Sequence, residues 1–215
     1  MDAVIDFLPM LLRGFATTLL LLLIAGVGAF VVGLIVAAMR ISPVASLRVF
    51  ATVYTEVLRN TPLTLVLFFC AFVLPYLGVR LDFFVLACIG LTAYTSPFIA
   101  EAIRSGVNGV AIGQAEAARS LGLDFGQTLR LIVLPQAIRM VIPPLINVYI
   151  ALTKNTSVAG GFFVAELFLS GRDIINSRGD AVFAILISVA FLYLVITIPL
   201  GRVAALVERK VAILR

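Results

Sequence analysis

The chain has 215 residues, 62% of them hydrophobic and 13% charged, and its mean hydropathy of +1.18 is too high for a water-soluble domain of 23.0 kDa. With no histidine, His-based metal sites and Ser-His or Cys-His catalysis are excluded, and the net charge of +5 is scattered at the ends of apolar runs instead of forming a nucleic-acid-binding patch. The apolar runs are continuous, and a backbone in lipid must satisfy its own hydrogen bonds, so the expected fold class is an all-α integral membrane protein.

Residues 1–14 read as a short amphipathic or irregular lead-in carrying Asp2, Asp6 and Arg13. They do not read as a cleavable signal, because acids stand where a basic region belongs and the apolar run is too long. Residues 15–39 are 25 positions without a charge, roughly 38 Å of helix, enough for a first span. Arg40 and Arg48 bracket a short loop with Ser42-Pro43. Residues 49–58 carry Glu56 and read either as an interfacial helix or as the first turns of the next span. Thr61 is the expected N-cap, with Pro62 in the first helical position, of a second span over about residues 62–77. The third runs over about residues 83–103. Cys70 and Cys88 lie inside these apolar runs and read as small hydrophobes, not as a disulfide or metal ligands.

The polar segment 104–139 interrupts this pattern. With Glu101 before it, it carries Arg104, Glu116, Arg119, Asp124, Arg130 and Arg139. It reads as two short helices with a bend at Gly122, where a helix end favours a left-handed residue, and with Asp124 capping the second helix. Pro135 is expected to end that helix. The whole segment reads as a docking element for a soluble partner.

Residues 140–153 restart the apolar pattern but contain Pro143-Pro144 and meet Lys154, so the fourth span is expected to be discontinuous around Lys154-Asn155-Thr156-Ser157, ahead of Gly160-Gly161. Residues 170–180 read as a polar outer loop, 181–201 as a fifth span, and 208–215 as a cytoplasmic tail. Residues 15–207 thus form one membrane domain of about five helices. Eleven basic residues then fall inside and five outside or within the membrane. That asymmetry places the N-terminus outside and the polar segment and C-terminus in the cytoplasm.

Lys154 is costly in an apolar setting and should be paired or useful. It reads either as the partner of an amino-acid α-carboxylate, with Asn155, Thr156 and Ser157 orienting the substrate, or as a snorkelling residue. Glu166 reads as the reader of a substrate ammonium or as a partner of Lys154 or Arg172. Tyr94, Thr95 and Ser96 precede Pro97, whose ring frees a backbone carbonyl that a hydroxyl can satisfy. Arg59 reads either as a topology charge or as a latch to Glu101 or Glu56 at the inner gate, and Glu101 with Arg104 as a structural pair one turn apart. No phosphate-binding Gly-x-x-x-x-Gly-Lys-Ser/Thr loop occurs, so the chain is not expected to hydrolyse ATP by that route.

Glu116-Ala117-Ala118, then Gly122, then Ile132-Val133-Leu134-Pro135 resembles the EAA loop of ABC-importer permease subunits. Arg59-Asn60-Thr61-Pro62-Leu63, Ala100-Glu101-Ala102-Ile103-Arg104-Ser105-Gly106 and Leu152-Thr153-Lys154-Asn155-Thr156-Ser157 resemble the polar amino acid branch, and its glutamate-type members most. The likeness covers nearly the whole chain, apart from Gly160-Gly161-Phe162-Phe163. It implies a type I importer permease fold in a bacterial cell membrane, no enzyme activity in this chain, and an ATPase-coupling role for Glu116, Ala117, Ala118 and Gly122. It further implies a pair of ATPase subunits holding ATP and Mg, a second permease (a copy or a similar chain), an extracytoplasmic solute-binding protein and a glutamate- or glutamine-like substrate. The competing reading is an ion-coupled secondary amino acid transporter or channel using Lys154 and Glu166. No inverted half-repeat supports it.

Overall fold

The computed structural model describes residues 2–212; Met1 and the tail residues Ile213, Leu214 and Arg215 lie outside them. Among the described residues no strand occurs. The helices are α1 (Asp2–Asp6), α2 (Leu8–Ile41), α3 (Ala45–Arg59), α4 (Leu63–Tyr76), α5 (Phe83–Asn108), α6 (Ile112–Ser120), α7 (Phe125–Phe162), α8 (Leu167–Ser177) and α9 (Val182–Ala212). Four of these are long and apolar enough to cross a membrane, and α3 with α4, bent by 103°, makes a fifth if the pair is one span.

The lead-in is itself helical. α2 starts at Leu8 and absorbs half of it, so the first span has 34 residues. Its inward face repeats every three or four positions through Leu11, Gly14, Thr18, Leu21, Ala25, Ala29, Gly33 and Val36. Small residues on that stripe allow close helix approach, the usual packing device where lipid supplies no hydrophobic drive. Leu19, Leu23, Ile24, Val31 and Leu34 face outward instead, as expected of a helix whose solvent is hydrocarbon. The inner stripe meets α5, which is capped by Asp82, whose side chain accepts from Phe84 N at 2.8 Å. Leu21, Leu67, Cys88, Leu91 and Leu152 share one core around this contact.

Thr61 does not cap α4. Its hydroxyl donates back to the Val57 carbonyl at 2.7 Å, closing the end of α3, and Pro62 takes the cap position with Leu63 as the first helical residue.

Prolines stand inside the helices without ending them. Pro135 does not stop α7, because the turn before it, Thr128–Val133, is wound as a π-helix. The wider turn spares the clash between the proline ring and the carbonyl four residues back. Gln136 Nε2 donates to the Ile132 carbonyl at 2.8 Å in the same turn. α4 repeats the arrangement, with a π segment at Phe69–Val73 ahead of Pro75. In α5, Pro97 can give no N–H to the Ala93 carbonyl, and the paired hydroxyls of Ser96 and Tyr54, 3.2 and 3.3 Å from it, supply a donor instead.

The fourth span is not discontinuous at Lys154–Ser157. α7 runs through those residues, and the break falls at the 3-10 turn Gly160–Phe162, followed by Phe163 at φ +64°. Hydroxyls in and beside the stretch that suggests an open backbone fold back on the helix instead. Thr153 donates to the Tyr149 carbonyl, Thr156 to that of Thr153 and Ser157 to that of Lys154, at 2.7–2.9 Å. Residues 170–180 are likewise no loop. Most belong to α8, which buries Leu167, Leu169 and Ile174 and turns Arg172 and Asp173 outward. Its buried face joins Leu11 of α2 and Ile185 and Val189 of α9.

Candidate functional site

The polar segment folds as an elbow. α6 ends in a paired cap, with Leu123 N donating to the Ala118 carbonyl (3.2 Å) and Gly122 N to that of Arg119 (2.9 Å). This geometry needs Gly122 at φ +85°, where any side chain would be strained. α7 then starts with a reciprocal box: Asp124 Oδ1 accepts from Gln127 N (2.8 Å), and Gln127 Oε1 accepts from Asp124 N (3.1 Å). Two caps in four residues fix the angle between α6 and α7. Glu116 and Ala117 are exposed, whereas Ala118 is buried against the first turns of α7, so the two alanines do different work. Ala118 lets α6 lie close on its own chain. Ile112, Leu121 and Phe125, all about three-quarters or more exposed, stand as apolar knobs on the elbow.

Glu101 gathers three arginines from three helices. Arg40 Nη1 donates to Oε2 at 2.6 Å, Arg104 donates through Nε at 3.2 Å and through Nη2 to Oε1, and Arg59 Nη1 stands 3.9 Å away. Arg59 also lies over the Phe98 ring, 5.6 Å from its centroid. The expected pairs of Glu101 with Arg59 and Arg104 are both present. Arg40 joins them unforeseen, because it ends the first span, where a topology charge is the ordinary reading. Glu56, the other acid considered for Arg59, accepts a long contact (3.5 Å) from Asn60 instead.

One turn from this cluster lies a cavity of about 390 Å³ between α5 and α7, lined by Tyr94, Thr95, Phe98, Asn147, Ala151 and Asn155 among others. Its size suits a small ligand. The Thr95 hydroxyl is buried without a hydrogen-bond partner among the described residues. Ser96, grouped with Tyr94 and Thr95 on sequence, bonds Tyr54 Oη at 2.7 Å instead. Asn155 lines the cavity and Lys154 beside it is exposed, while Thr156 is buried with its hydroxyl turned to its own helix. Asn147 and Phe98 are additions that sequence reasoning does not supply. A lone amide inside an apolar run is the one signal that points to Asn147.

Glu166 stands apart from the cavity. It is fully buried as the N-cap of α8, accepting from Phe168 N (2.8 Å), Leu169 N (2.7 Å) and Tyr193 Oη (2.9 Å). It pairs with neither Lys154 nor Arg172; the latter faces Asp173 at 3.6 Å. Glu166 is an acceptor for orphan helix donors, and Tyr193, which nothing in the sequence marks out, completes it.

Residues 29–213 match the model of the family described as binding-protein-dependent transport system inner membrane component. The chain belongs to that family. This permease is 42% identical to the glutamate transport system permease protein GluC of Corynebacterium glutamicum, over 97% of its own length and 96% of the relative's. It is 45% identical to the probable glutamine ABC transporter permease protein GlnM of Bacillus subtilis, over 95% and 94%. A crystal structure of an amino acid ABC transporter with histidines superposes at a TM-score of 0.88 with 32% identity, covering 96% of each chain. The MetNI methionine ABC transporter shares the fold at a TM-score of 0.74 with 22% identity. The permease is therefore a multi-pass membrane component of an ABC transport complex with an importer-type fold.

The three-arginine cluster has a measurable consequence for this permease. Glu101→Gln leaves Arg40, Arg59 and Arg104 facing one another in a partly buried site, and should cost about 2 kcal/mol of stability. Arg104→Gln keeps the short Arg40 contact and should cost less than about 1 kcal/mol. Thermal melting of the detergent-solubilised variants reads the difference, and equal melting of the two would remove the structural role given to Glu101.

Proposed function

We propose that this permease is the membrane-spanning subunit of an ATP-driven uptake system for polar amino acids of the glutamate or glutamine kind. The observation that carries the reading is the continuity of α7. The helix fixed to the docking elbow by the Asp124–Gln127 box runs unbroken to Asn147 and Asn155 in the cavity wall. A push on Glu116, Ala117 and the apolar knobs of the elbow is carried along one rigid element to the cavity. The push comes from a pair of ATPase subunits holding ATP and Mg, docked at the cytoplasmic face of two permeases, this chain with a copy or a similar chain. An extracytoplasmic binding protein delivers the substrate on the side of the N-terminus. This chain makes and breaks no bond. Its part is to open the cavity to one side and then the other.

Beside the cavity, the exposed Lys154 takes the α-carboxylate, and Asn155 and Asn147 in the lining offer neutral hydrogen-bonding groups to the rest of the amino acid. Thr156 and Ser157 hold the helix that presents them. Lys154→Met should raise the amino-acid concentration needed for half-maximal ATPase stimulation by about tenfold or more in liposomes, the loss expected of a charge-assisted contact. An unchanged concentration would assign Lys154 to the interface as a snorkelling residue.

A further inference from the structure

The three arginines around Glu101 are not held alike. The two carboxylate oxygens receive Arg40 at 2.6 Å and both donors of Arg104. Arg59 makes no hydrogen bond to them and rests at 3.9 Å, its guanidinium over the ring of Phe98. One carboxylate balances one arginine, which leaves two positive charges uncompensated. Phe98 faces both ways: it carries Arg59 and lines the cavity, and it precedes Glu101 on α5 by three residues, one turn. The cavity lining itself contains no charged residue. Arg59 also sits at a corner, as the last residue of α3 before the 103° bend into α4, with its side chain about one-third exposed.

We propose that Arg59 is a transfer cation at the basic end of the cavity. Its guanidinium leaves the Phe98 ring to take the carboxylate of an amino acid on its way out, and returns when the substrate has gone. The parked state suits this role. A cation on an aromatic face is held by a modest, non-directional attraction, whereas a carboxylate offers a guanidinium two parallel hydrogen bonds. Glu101 holds it only at 3.9 Å, since Arg40 and Arg104 take the closer positions on its oxygens. The surplus charge draws an anionic group along a neutral cavity toward that end, and Arg40 and Arg104 keep Glu101 from following Arg59 when it moves.

The inference rests on the amino-acid reading above, and its test separates the two. Equilibrium binding of L-glutamine, L-glutamate and L-glutamine α-amide, which lacks the α-carboxylate, is measured on the purified permease–ATPase complex without binding protein. Arg59→Gln should lower the affinity for the two amino acids by about tenfold relative to the amide, and Arg59→Lys by about threefold. If Arg59→Gln does not assemble, Phe98→Leu carries the test. It removes the parking ring and should raise the ratio of amino-acid to amide affinity. An unchanged ratio in the assembled Arg59→Gln complex, or in Phe98→Leu where that stands in, overturns the inference alone. A wild-type complex that binds neither amino acid overturns the functional reading, and this inference with it.

Discussion

Glu166→Ala is expected to destabilise the permease by about 3–5 kcal/mol, the cost of leaving three donors without their acceptor in a buried site. Three donors lose their acceptor at once: the N–H groups of Phe168 and Leu169, second and third in α8, and the Tyr193 hydroxyl. Glu166 itself is fully buried, and its bond to Leu169 N is buried with it. The loss of a helix cap alone accounts for about 1 kcal/mol, and the stranded donors for the rest. The site is also tight, because a Cβ at Gly160 would collide with Glu166 Oε1, so the turn that ends α7 has formed around this carboxylate. Glu166→Gln keeps one carbonyl oxygen as acceptor and should fall between the two. For a chain of this length the alanine variant should melt about 10 °C or more below the wild type. A shift of less than about 2 °C would mean that α8 does not depend on its cap.

Gly122→Pro is expected to reduce ATP-driven uptake by more than about tenfold while leaving membrane insertion and melting of the spans nearly unchanged. Proline locks φ near −65°, whereas the elbow needs +85° here, and it removes the N–H that donates to the Arg119 carbonyl. The cap on α6 is lost and the angle between α6 and α7 with it. Because nothing packs within 4 Å of a Cβ at this position, the effect is one of backbone geometry and not of crowding. Gly122→Ala keeps the N–H and should lose far less, at about 1 kcal/mol of local strain. Uptake and protease accessibility in the same proteoliposomes check both, and normal uptake by Gly122→Pro would remove the elbow from the coupling path.

Local chemistry is the legible part of the sequence. The caps at Gly122 and Asp124 depend on residues within five positions of one another, and residue type and spacing alone point to both. The continuous apolar runs give the long helices for the same reason, since each is self-contained in lipid. The expectations that fail involve competing local signals or distant partners. Lys154-Asn155-Thr156-Ser157 suggests an opened backbone, yet hydroxyls in a helix can also fold back on carbonyls three or four residues earlier, and those of Thr156 and Ser157 do. In residues 170–180 the i, i+3, i+7 pattern of Leu167, Ser170 and Ile174 is hidden by Gly171, Arg172 and Asp173. Pro135 reads as a stop because a π turn has no sequence signature of its own. Arg40 reaches Glu101 across 61 positions and Tyr193 reaches Glu166 across 27, distances at which one sequence carries no pairing signal.

The central claim is that ATP drives this permease through the elbow. Uptake of glutamate and glutamine is measured in proteoliposomes containing the permease, its ATPase partner and its binding protein, with wild type and Glu116→Lys compared. The expected result is uptake that requires ATP, that is stimulated by the loaded binding protein, and that Glu116→Lys abolishes with the chain still inserted. Uptake driven by an ion gradient without ATP, or unchanged by Glu116→Lys, would contradict it.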